Sequence, residues 1–109
     1  MAGQWIAVDF DHTIRDTGFT DEPLPGARDA MALIHENGHK IMIFSCNDKD
    51  HIEQWMRNHD IWFDAIWDGK GKVVAAAYID DRGVAFRGDW QQSVEEALAL
   101  VEGRPVRRY

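Results

Sequence analysis

The residues best able to do chemistry are four aspartates that stand directly after apolar stretches of the chain: Asp9, Asp11, Asp80 and Asp81. Two carboxylates about 4 Å apart repel each other by about 4 kcal/mol at an effective dielectric constant of about 20. If the fold brings these aspartates together, the cluster requires a cation or carboxyl groups with shifted pKa values. Because the set offers oxygen ligands without cysteine or histidine, we expect Mg²⁺, which commonly joins protein carboxylates to a substrate phosphate.

Strands and helices that could position these aspartates alternate along the chain. Apolar runs of strand length cover Gln4 to Val8, Lys40 to Phe44, Ile61 to Trp67 and Val73 to Ile79. Helical spacing of apolar residues marks Ala27 to Asn37, a second helix capped by Asn47 or Asp48, and a last helix from about Trp90 to Val101. This alternation predicts a doubly wound, Rossmann-like α/β domain with a parallel sheet and helices on both faces.

The predicted topology also indicates where the site lies. In an open parallel sheet, ligands bind beyond the carboxyl ends of the strands. Polar residues follow three of the strand-like runs at these ends: Asp9 to Thr13, Ser45 to Asp48, and Asp80 to Arg82. We therefore expect the four aspartates, although distant in sequence, to meet at one edge of the sheet.

Four short motifs support a phosphate-related function. The stretch Ile6 to Ile14 reads I-A-V-D-F-D-H-T-I and closely resembles the first motif of the haloacid dehalogenase superfamily, an apolar strand followed by D-x-D-x-T. Ile41 to Ser45 is similar to the second motif, Lys72 or Lys70 can serve as the third-motif lysine, and Ala77 to Arg82 resembles the fourth. The matches occur in family order and extend over most of the chain.

This resemblance implies the chemistry of phosphoryl transfer. Asp9 would attack phosphorus and form an aspartyl-phosphate. Asp11 would protonate the leaving oxygen and then deprotonate the hydrolytic water, while Lys72 would neutralise the nucleophile and the phosphate. Phosphoryl transfer requires in-line positioning and charge neutralisation, which a metal ion and one lysine can supply. The expected activity is Mg²⁺-dependent hydrolysis of a phosphomonoester.

The same resemblance suggests which residues bind the ion and the phosphate. Oxygen ligands would hold Mg²⁺: Asp9, the carbonyl group of Asp11, Asp80 and Asp81. Residues at the strand ends and in adjoining loops are candidates to bind the phosphoryl oxygens: Thr13, Ser45, Cys46, Asn47, Lys70 and Arg82, with Arg15 as a further candidate. Cys46 has no indicated histidine partner, so we expect a packed thiol and not a nucleophile.

Most members of that superfamily carry a cap domain after the first motif or between the second and third. Here the segments Ile14 to Pro23 and Asn47 to Lys72 are too short for one. The resemblance therefore predicts a single capless domain over residues 1–109, with a flexible basic tail at 103–109. Its open site would accept a small-molecule or macromolecular phosphomonoester, and a second subunit in a homo-oligomer could shield it.

Composition excludes several other classes of protein. The 109 residues include 45% hydrophobic and 28% charged residues, which is ordinary globular usage. The longest apolar runs have strand length, so we expect no membrane span. The single cysteine and the lack of an apolar leader favour the cytoplasm. The net charge of −7 argues against broad attachment to nucleic acid.

Two other functions are compatible with the same residues. Some small members of the superfamily with the D-D-R ending resemble the phosphatase half of polynucleotide kinases, so the substrate could be a nucleotide or a nucleic-acid end. From a different class, the chain could be a regulatory module that binds phosphate and Mg²⁺ without turnover. Salt-dependent binding of oligonucleotides would favour the first alternative. Failure to hydrolyse phosphomonoesters would favour the second.

Overall fold

The structure is a computed structural model, and it describes residues 3–16, 18 and 20–105. Within these ranges the elements follow one another as β1 (Trp5–Asp9), α1 (Ala27–Glu36), β2 (Lys40–Phe44), α2 (Lys49–Asn58), β3 (Ala65–Ile66), β4 (Ala77–Ile79) and α3 (Trp90–Glu102). The strands form one parallel sheet in the order β3-β2-β1-β4. The predicted Rossmann-like α/β class is confirmed, and no cap domain interrupts the described part of the chain.

β1 occupies the interior of the sheet because it pairs with strands on both sides. Its register with β2 runs from Trp5 beside Lys40 to Asp9 beside Phe44. On its other side β1 pairs with β4. Since all the strands are parallel, the residues that follow β1, β2 and β4 emerge at the same edge of the sheet.

A hydrophobic core on one face of the sheet holds the strands and two helices together. The register places Val8 next to Ile43, so these two side chains point to the same face. Both are fully buried. The same cluster contains Met31 of α1 together with Ile52 and Met56 of α2. α1 and α2 therefore both cover this face.

The opposite face carries the alternate residues of the strands, among them Tyr78. The Tyr78 hydroxyl donates a hydrogen bond to the carbonyl oxygen of Val73 at 2.6 Å and accepts one from the backbone N–H of Ala75 at 3.3 Å. The segment before β4 thus lies against this face without forming a strand. The strand predicted over 73–79 is wrong in its first half, and only Ala77–Ile79 is paired.

The strand predicted over Ile61 to Trp67 is also shorter, since β3 comprises 2 residues. Ile61 lies in the turn that closes α2, because its backbone N–H donates to the carbonyl oxygen of Met56 at 3.0 Å. Pairing with β2 is confined to Ala65 and Ile66. Ile61 is apolar because it packs in the core, not because it lies in a strand.

α3 differs from the other helices because none of its described side chains belongs to the main core cluster. It begins at Trp90, as predicted, and ends at Glu102, one residue later than predicted. Its N-cap, Asp89, accepts a hydrogen bond from the backbone N–H of Gln92 at 3.2 Å. The helix is well formed locally, yet it leaves most of its apolar side chains exposed.

The end of α3 leads into the predicted basic tail. Gly103 ends the helix in a left-handed conformation with a φ of 70°. Arg104 forms an ion pair with Glu102 at 2.7 Å, so the tail is held where it begins. Its last part, 106–109, lies outside the described residues. Throughout the described ranges, no helix combines the length and the apolar character that crossing a membrane requires.

We expect Ile41→Ala to lower the free energy of unfolding by about 2 to 5 kcal/mol, the usual cost of truncating a buried isoleucine. Ile41 is 0% exposed in the core. Val74→Ala, at a position that is 84% exposed, should change the stability by about 0.5 kcal/mol or less. Urea unfolding followed by circular dichroism measures both changes. Equal effects of the two substitutions would contradict the assigned core.

Candidate functional site

Two of the four predicted aspartates meet at the carboxyl edge of the sheet. Asp9 ends β1 and Asp81 follows β4, so the pairing of these strands brings the two side chains within hydrogen-bonding distance. The pKa of Asp9 is raised from 3.8 to about 6, first by burial, then by a hydrogen bond to Asp81 and by the negative charges of Asp81 and Asp80. The backbone N–H of Phe10, which donates to Asp9 Oδ1 at 2.8 Å, acts in the opposite direction.

Asp80 is near enough to affect Asp9 electrostatically, but its carboxylate is used by the loop that follows β4. Asp80 Oδ1 accepts hydrogen bonds from the backbone N–H of Arg82 at 2.8 Å and from that of Gly83. A Cβ atom on residue 83 would lie 2.8 Å from Asp80 Oδ2, so a glycine lets this turn close tightly. Asp80 therefore shapes the loop that presents Asp81.

The Asp11 carboxylate is held by an amide and a guanidinium group. Asp11 Oδ2 accepts a hydrogen bond from Asn47 Nδ2 at 3.2 Å. Asp11 Oδ1 lies 3.7 Å from Arg15 Nη1. Asn47 comes from the turn after β2, whereas Arg15 belongs to the same loop as Asp11. The hydrogen bond to Oδ2 and the ion pair at Oδ1 restrict the orientation of the carboxylate.

Arg15 joins the loop after β1 to α2. Its Nε atom lies 2.6 Å from Asp21 Oδ1, and its Nη1 atom lies 3.2 Å from His51 Nε2. Because the guanidinium group can only donate, Nε2 of His51 is the acceptor. Sequence patterns suggested Arg15 as a phosphate contact and assigned no role to Asp21 or His51. No spacing rule could have found them, since the contacts join residues from separate turns.

Apolar residues anchor the tight loop that carries Asp11. Phe10 and Ile14 are buried, and the carbonyl oxygen of Phe10 accepts a hydrogen bond from the backbone N–H of Ile14 at 2.9 Å. His12 has a φ of 65°, a left-handed conformation that is uncommon for a residue other than glycine. Thr13 Oγ1 is buried without a hydrogen-bond partner among the described residues. That hydroxyl group is available to a phosphoryl oxygen.

The turn after β2 contains the other predicted phosphate contacts. Ser45 Oγ accepts a hydrogen bond from the backbone N–H of Asn47 at 3.0 Å. Asp48, one of the two predicted caps, begins α2 by accepting from the backbone N–H of His51 at 3.1 Å. Cys46 lies in the middle of this turn and is exposed. The expectation of a packed thiol is therefore wrong, because the turn lies outside the core.

Positive charge near the carboxylate pair comes from Arg82, whose Nε atom lies 3.9 Å from Asp81 Oδ2. Lys70 and Lys72 are exposed in the loop that follows β3. Within the described ranges, neither lysine forms an ion pair. The backbone N–H of Lys70 donates to Asp68 Oδ1 at 2.9 Å, which fixes this part of the loop. Which lysine serves the site stays a prediction.

The predicted four-carboxylate cluster is thus formed only in part. Among residues 3–16, 18 and 20–105, no group of three or more histidine, cysteine or acidic side chains is arranged to hold a metal ion. The carboxylates that converge are those of Asp9 and Asp81. Mg²⁺ is commonly bound by one or two carboxylates, with waters and substrate phosphate completing its octahedral shell. The pair fits a site of that kind. Burial is the main cause of the raised pKa of Asp9, and the negative charges of Asp81 and Asp80, which add to it, are ones that a cation would neutralise.

Comparison with known proteins gives one structural likeness. No family model matches the chain, and no curated protein is significantly similar to it. In structure the chain is similar to a conserved protein from Bacteroides thetaiotaomicron, with 25% sequence identity and a TM-score of 0.64. The match covers 94% of this chain and 93% of the other. The likeness supports the α/β fold over nearly the whole chain and carries no information on activity.

We expect Asp9→Asn to stabilise the folded chain at pH 7. The raised pKa of Asp9 means that the folded state binds the carboxyl proton more tightly than the unfolded state does. Stability is therefore lost as the pH rises from 3.8 to about 6. A neutral amide avoids this loss. Because Asp9 is partly exposed, we expect a gain of about 1 kcal/mol, less than the full shift would imply.

Urea unfolding at pH 4 and at pH 7 measures this effect. Glu36→Gln is the control, since it removes an exposed carboxylate from the last turn of α1, and it should leave the pH dependence of stability unchanged. If Asp9→Asn lowered the stability at pH 7 and kept the wild-type pH dependence, the close approach of Asp9 and Asp81 would be contradicted.

Proposed function

We propose that this chain is a Mg²⁺-dependent phosphomonoester hydrolase that works through an aspartyl-phosphate at Asp9. The observation that carries this function is the Asp9 and Asp81 carboxylate pair at the carboxyl edge of the sheet. A third carboxylate, that of Asp11, follows in the same loop and is held by a hydrogen bond from Asn47 and an ion pair with Arg15. The order of these residues along the chain resembles that of the haloacid dehalogenase superfamily.

The first half of the proposed reaction transfers the phosphoryl group to the protein. A carboxylate oxygen of Asp9 forms a bond to phosphorus while the bond between phosphorus and the leaving oxygen breaks. Asp11 gives a proton to that leaving oxygen. Mg²⁺, bound by Asp9 and Asp81, would supply positive charge that favours the ionised carboxyl groups and offsets the charge of the phosphate.

The second half releases inorganic phosphate. Asp11 takes a proton from a water molecule as the water oxygen bonds to phosphorus and the bond from phosphorus to Asp9 breaks. The contacts of Asn47 and Arg15 keep the Asp11 carboxylate in one orientation through both halves. Such pre-organisation lowers the entropic cost of each proton transfer.

Hydroxyl groups and cations near the pair would bind the phosphate. The buried Thr13 hydroxyl lacks a partner among the described residues, which supports a contact to a phosphoryl oxygen. Arg82 already lies beside Asp81. Lys72 or Lys70 would complete the set, and this requires the loop after β3 to turn towards the pair when phosphate binds.

The open site supports a broad range of substrate sizes. No cap domain covers it in the described part of the chain, so either a small-molecule or a macromolecular phosphomonoester could reach Asp9. The net charge of −7 disfavours a nucleic-acid end as the substrate. A cytoplasmic location belongs to the same proposal, since the single cysteine requires no oxidising compartment.

Two observations favour a second function from a different class. The lysine that should neutralise the phosphate forms no ion pair within the described ranges, and two carboxylates converge where four were expected. A chain with this arrangement could bind phosphate and Mg²⁺ as a regulatory module. The two functions differ in a single measurable respect, which is turnover.

We expect Asp9→Asn to lower the rate of p-nitrophenyl phosphate hydrolysis by about a thousandfold or more, because the variant lacks the carboxylate nucleophile. Glu36→Gln should keep the rate within about twofold of wild type, since Glu36 is exposed and lies before the amino end of β2, at the edge of the sheet opposite the candidate site. Release of p-nitrophenol in the presence of Mg²⁺ measures both rates. Wild-type turnover in Asp9→Asn would rule out the nucleophile. A wild-type chain inactive on a broad phosphomonoester panel would favour the regulatory module.

Addition of Mg²⁺ should raise the temperature of unfolding of the wild-type chain, because a ligand that binds only the folded state stabilises it. Asp81→Asn removes one of the two converging carboxylates and should abolish most of this increase, whereas Glu36→Gln should keep it. Differential scanning fluorimetry with Mg²⁺ and with EDTA measures the change. The proposed ion site fails if wild type does not respond, or if Asp81→Asn responds fully.

A further inference from the structure

α3 exposes its apolar side and buries part of its polar side. Its apolar stripe consists of Trp90, Val94, Leu98 and Val101, which are 73%, 48%, 46% and 84% exposed. These positions share one face because residues three or four apart are neighbours on a helix. On the opposite face, Glu96 is 3% exposed. An amphipathic helix normally turns its apolar face towards a core. The apolar stripe of α3 therefore lacks the packing partner that an apolar helix face normally has.

The apolar stripe borders a groove between α3 and the segment that follows β4. The rings of Phe86 and Trp90 pack at one end, with centroids 4.8 Å apart. Two cavities of about 340 Å³ and 480 Å³ adjoin along the groove, since Val84 and Ala97 line both of them. Asp81 lines the far end. The uncovered surface is therefore continuous and reaches the candidate site.

The size of this surface matches a protein interface. A large aromatic side chain contributes about 150 to 250 Å², so the apolar stripe and Phe86 together expose about 500 to 600 Å². That equals the largest apolar patches found on monomers, which are often functional. A stable dimer buries about 800 Å² per subunit, of which about 65% is apolar. The stripe and Phe86 together could supply that apolar part.

The shape of the chain agrees with an apolar stripe that faces away from the main core cluster. The radius of gyration is 15.0 Å, whereas a compact domain of this length has a radius of about 13 Å. The main core cluster contains no described residue of α3. A second surface is needed to bury the stripe.

A second copy of α3 provides a matching surface when the two helices run antiparallel. If Trp90 of one copy lies opposite Val101 of the other, Val94 lies opposite Ala97, so each larger side chain meets a smaller one. Every such contact occurs twice, as a two-fold symmetric interface requires. The antiparallel arrangement also pairs opposite ends of the helix dipoles.

We propose that the apolar stripe is a dimer interface, formed by the antiparallel α3 helices of two copies of this chain. The dimer is independent of the proposed hydrolase activity and goes beyond it. Because the groove ends at Asp81, the second copy borders the candidate site from the β4 side.

Sedimentation velocity of the full chain over about a hundredfold range of concentration should show an equilibrium between monomer and dimer. Val101→Asp should raise the dimer Kd by about tenfold or more, because it places a charge in an apolar contact. Val74→Asp is the matched control: Val74 is also 84% exposed but does not line the groove, and its substitution should change the Kd by less than about twofold. Circular dichroism checks that both variants are folded. A chain that stays monomeric throughout, or a dimer weakened equally by both substitutions, overturns the proposal.

Disulfide formation in a Cys46→Ser background tests the orientation of the helices. In the antiparallel arrangement Val94 lies opposite Ala97 of the second copy, near the centre of the contact face. A mixture of Val94→Cys and Ala97→Cys chains should therefore form a crosslinked dimer under mild oxidation more efficiently than either chain alone. Crosslinking of Ala97→Cys chains alone that is as efficient as crosslinking of the mixture would indicate parallel helices and overturn the proposed interface. A dimer that gives no mixed crosslink would also overturn it.

Discussion

The repulsion between the carboxylates of Asp9 and Asp81 is the interaction on which the candidate site depends. β1 lies between β2 and β4 in a parallel sheet, so its last residue is forced close to the acidic residues that follow β4. Burial of apolar side chains such as Val8 and Ile43, at about 1.5 to 3 kcal/mol each, offsets the cost of holding these charges together. The sheet thereby imposes a concentration of negative charge that a cation can relieve.

Polar groups around this pair divide into those that build the site and those that are free to react. Asp80 is next to Asp81 in the sequence, yet its carboxylate accepts hydrogen bonds from the backbone of its own turn. Asn47 and Arg15 likewise orient the Asp11 carboxylate, which would still be able to exchange a proton with a substrate. Because the structural groups are already paired, the proposed phosphate or metal ion would act mainly on the Asp9 and Asp81 pair. Motif resemblance cannot make this division, since both classes of residue occupy motif positions.

The sequence predicted those parts of the structure that depend on local patterns. The bounds of β2 over Lys40–Phe44 follow from strand-length apolar character and are confirmed. N-cap chemistry predicted a cap at Asn47 or Asp48, and the structure has it at Asp48. The convergence of strand ends follows from parallel topology alone. The apolar residues before Ala77 were misassigned to a strand. Tyr78 binds the backbone of Val73 and Ala75, and the register with β1 begins at Ala77, next to the hydrogen bond from the Ala76 N–H to the Trp5 carbonyl oxygen. The direction of the Asp11 carboxylate was also unpredictable, since it depends on Asn47 from a distant turn.

Because β4 is short, the part of the site that it carries is held less firmly than the part that β1 carries. β4 has 3 residues, all exposed, at an edge of the sheet, whereas β1 is paired along both sides. Fraying of such an edge costs less free energy than opening the interior strands. When β4 separates from β1, Asp81 moves away with it, while Asp9 and Asp11 stay with the interior strand β1 and its loop. A ligand that bridges the two carboxylates would therefore hold β4 against β1. While bound, it would slow backbone hydrogen exchange in β4 more than anywhere else in the sheet.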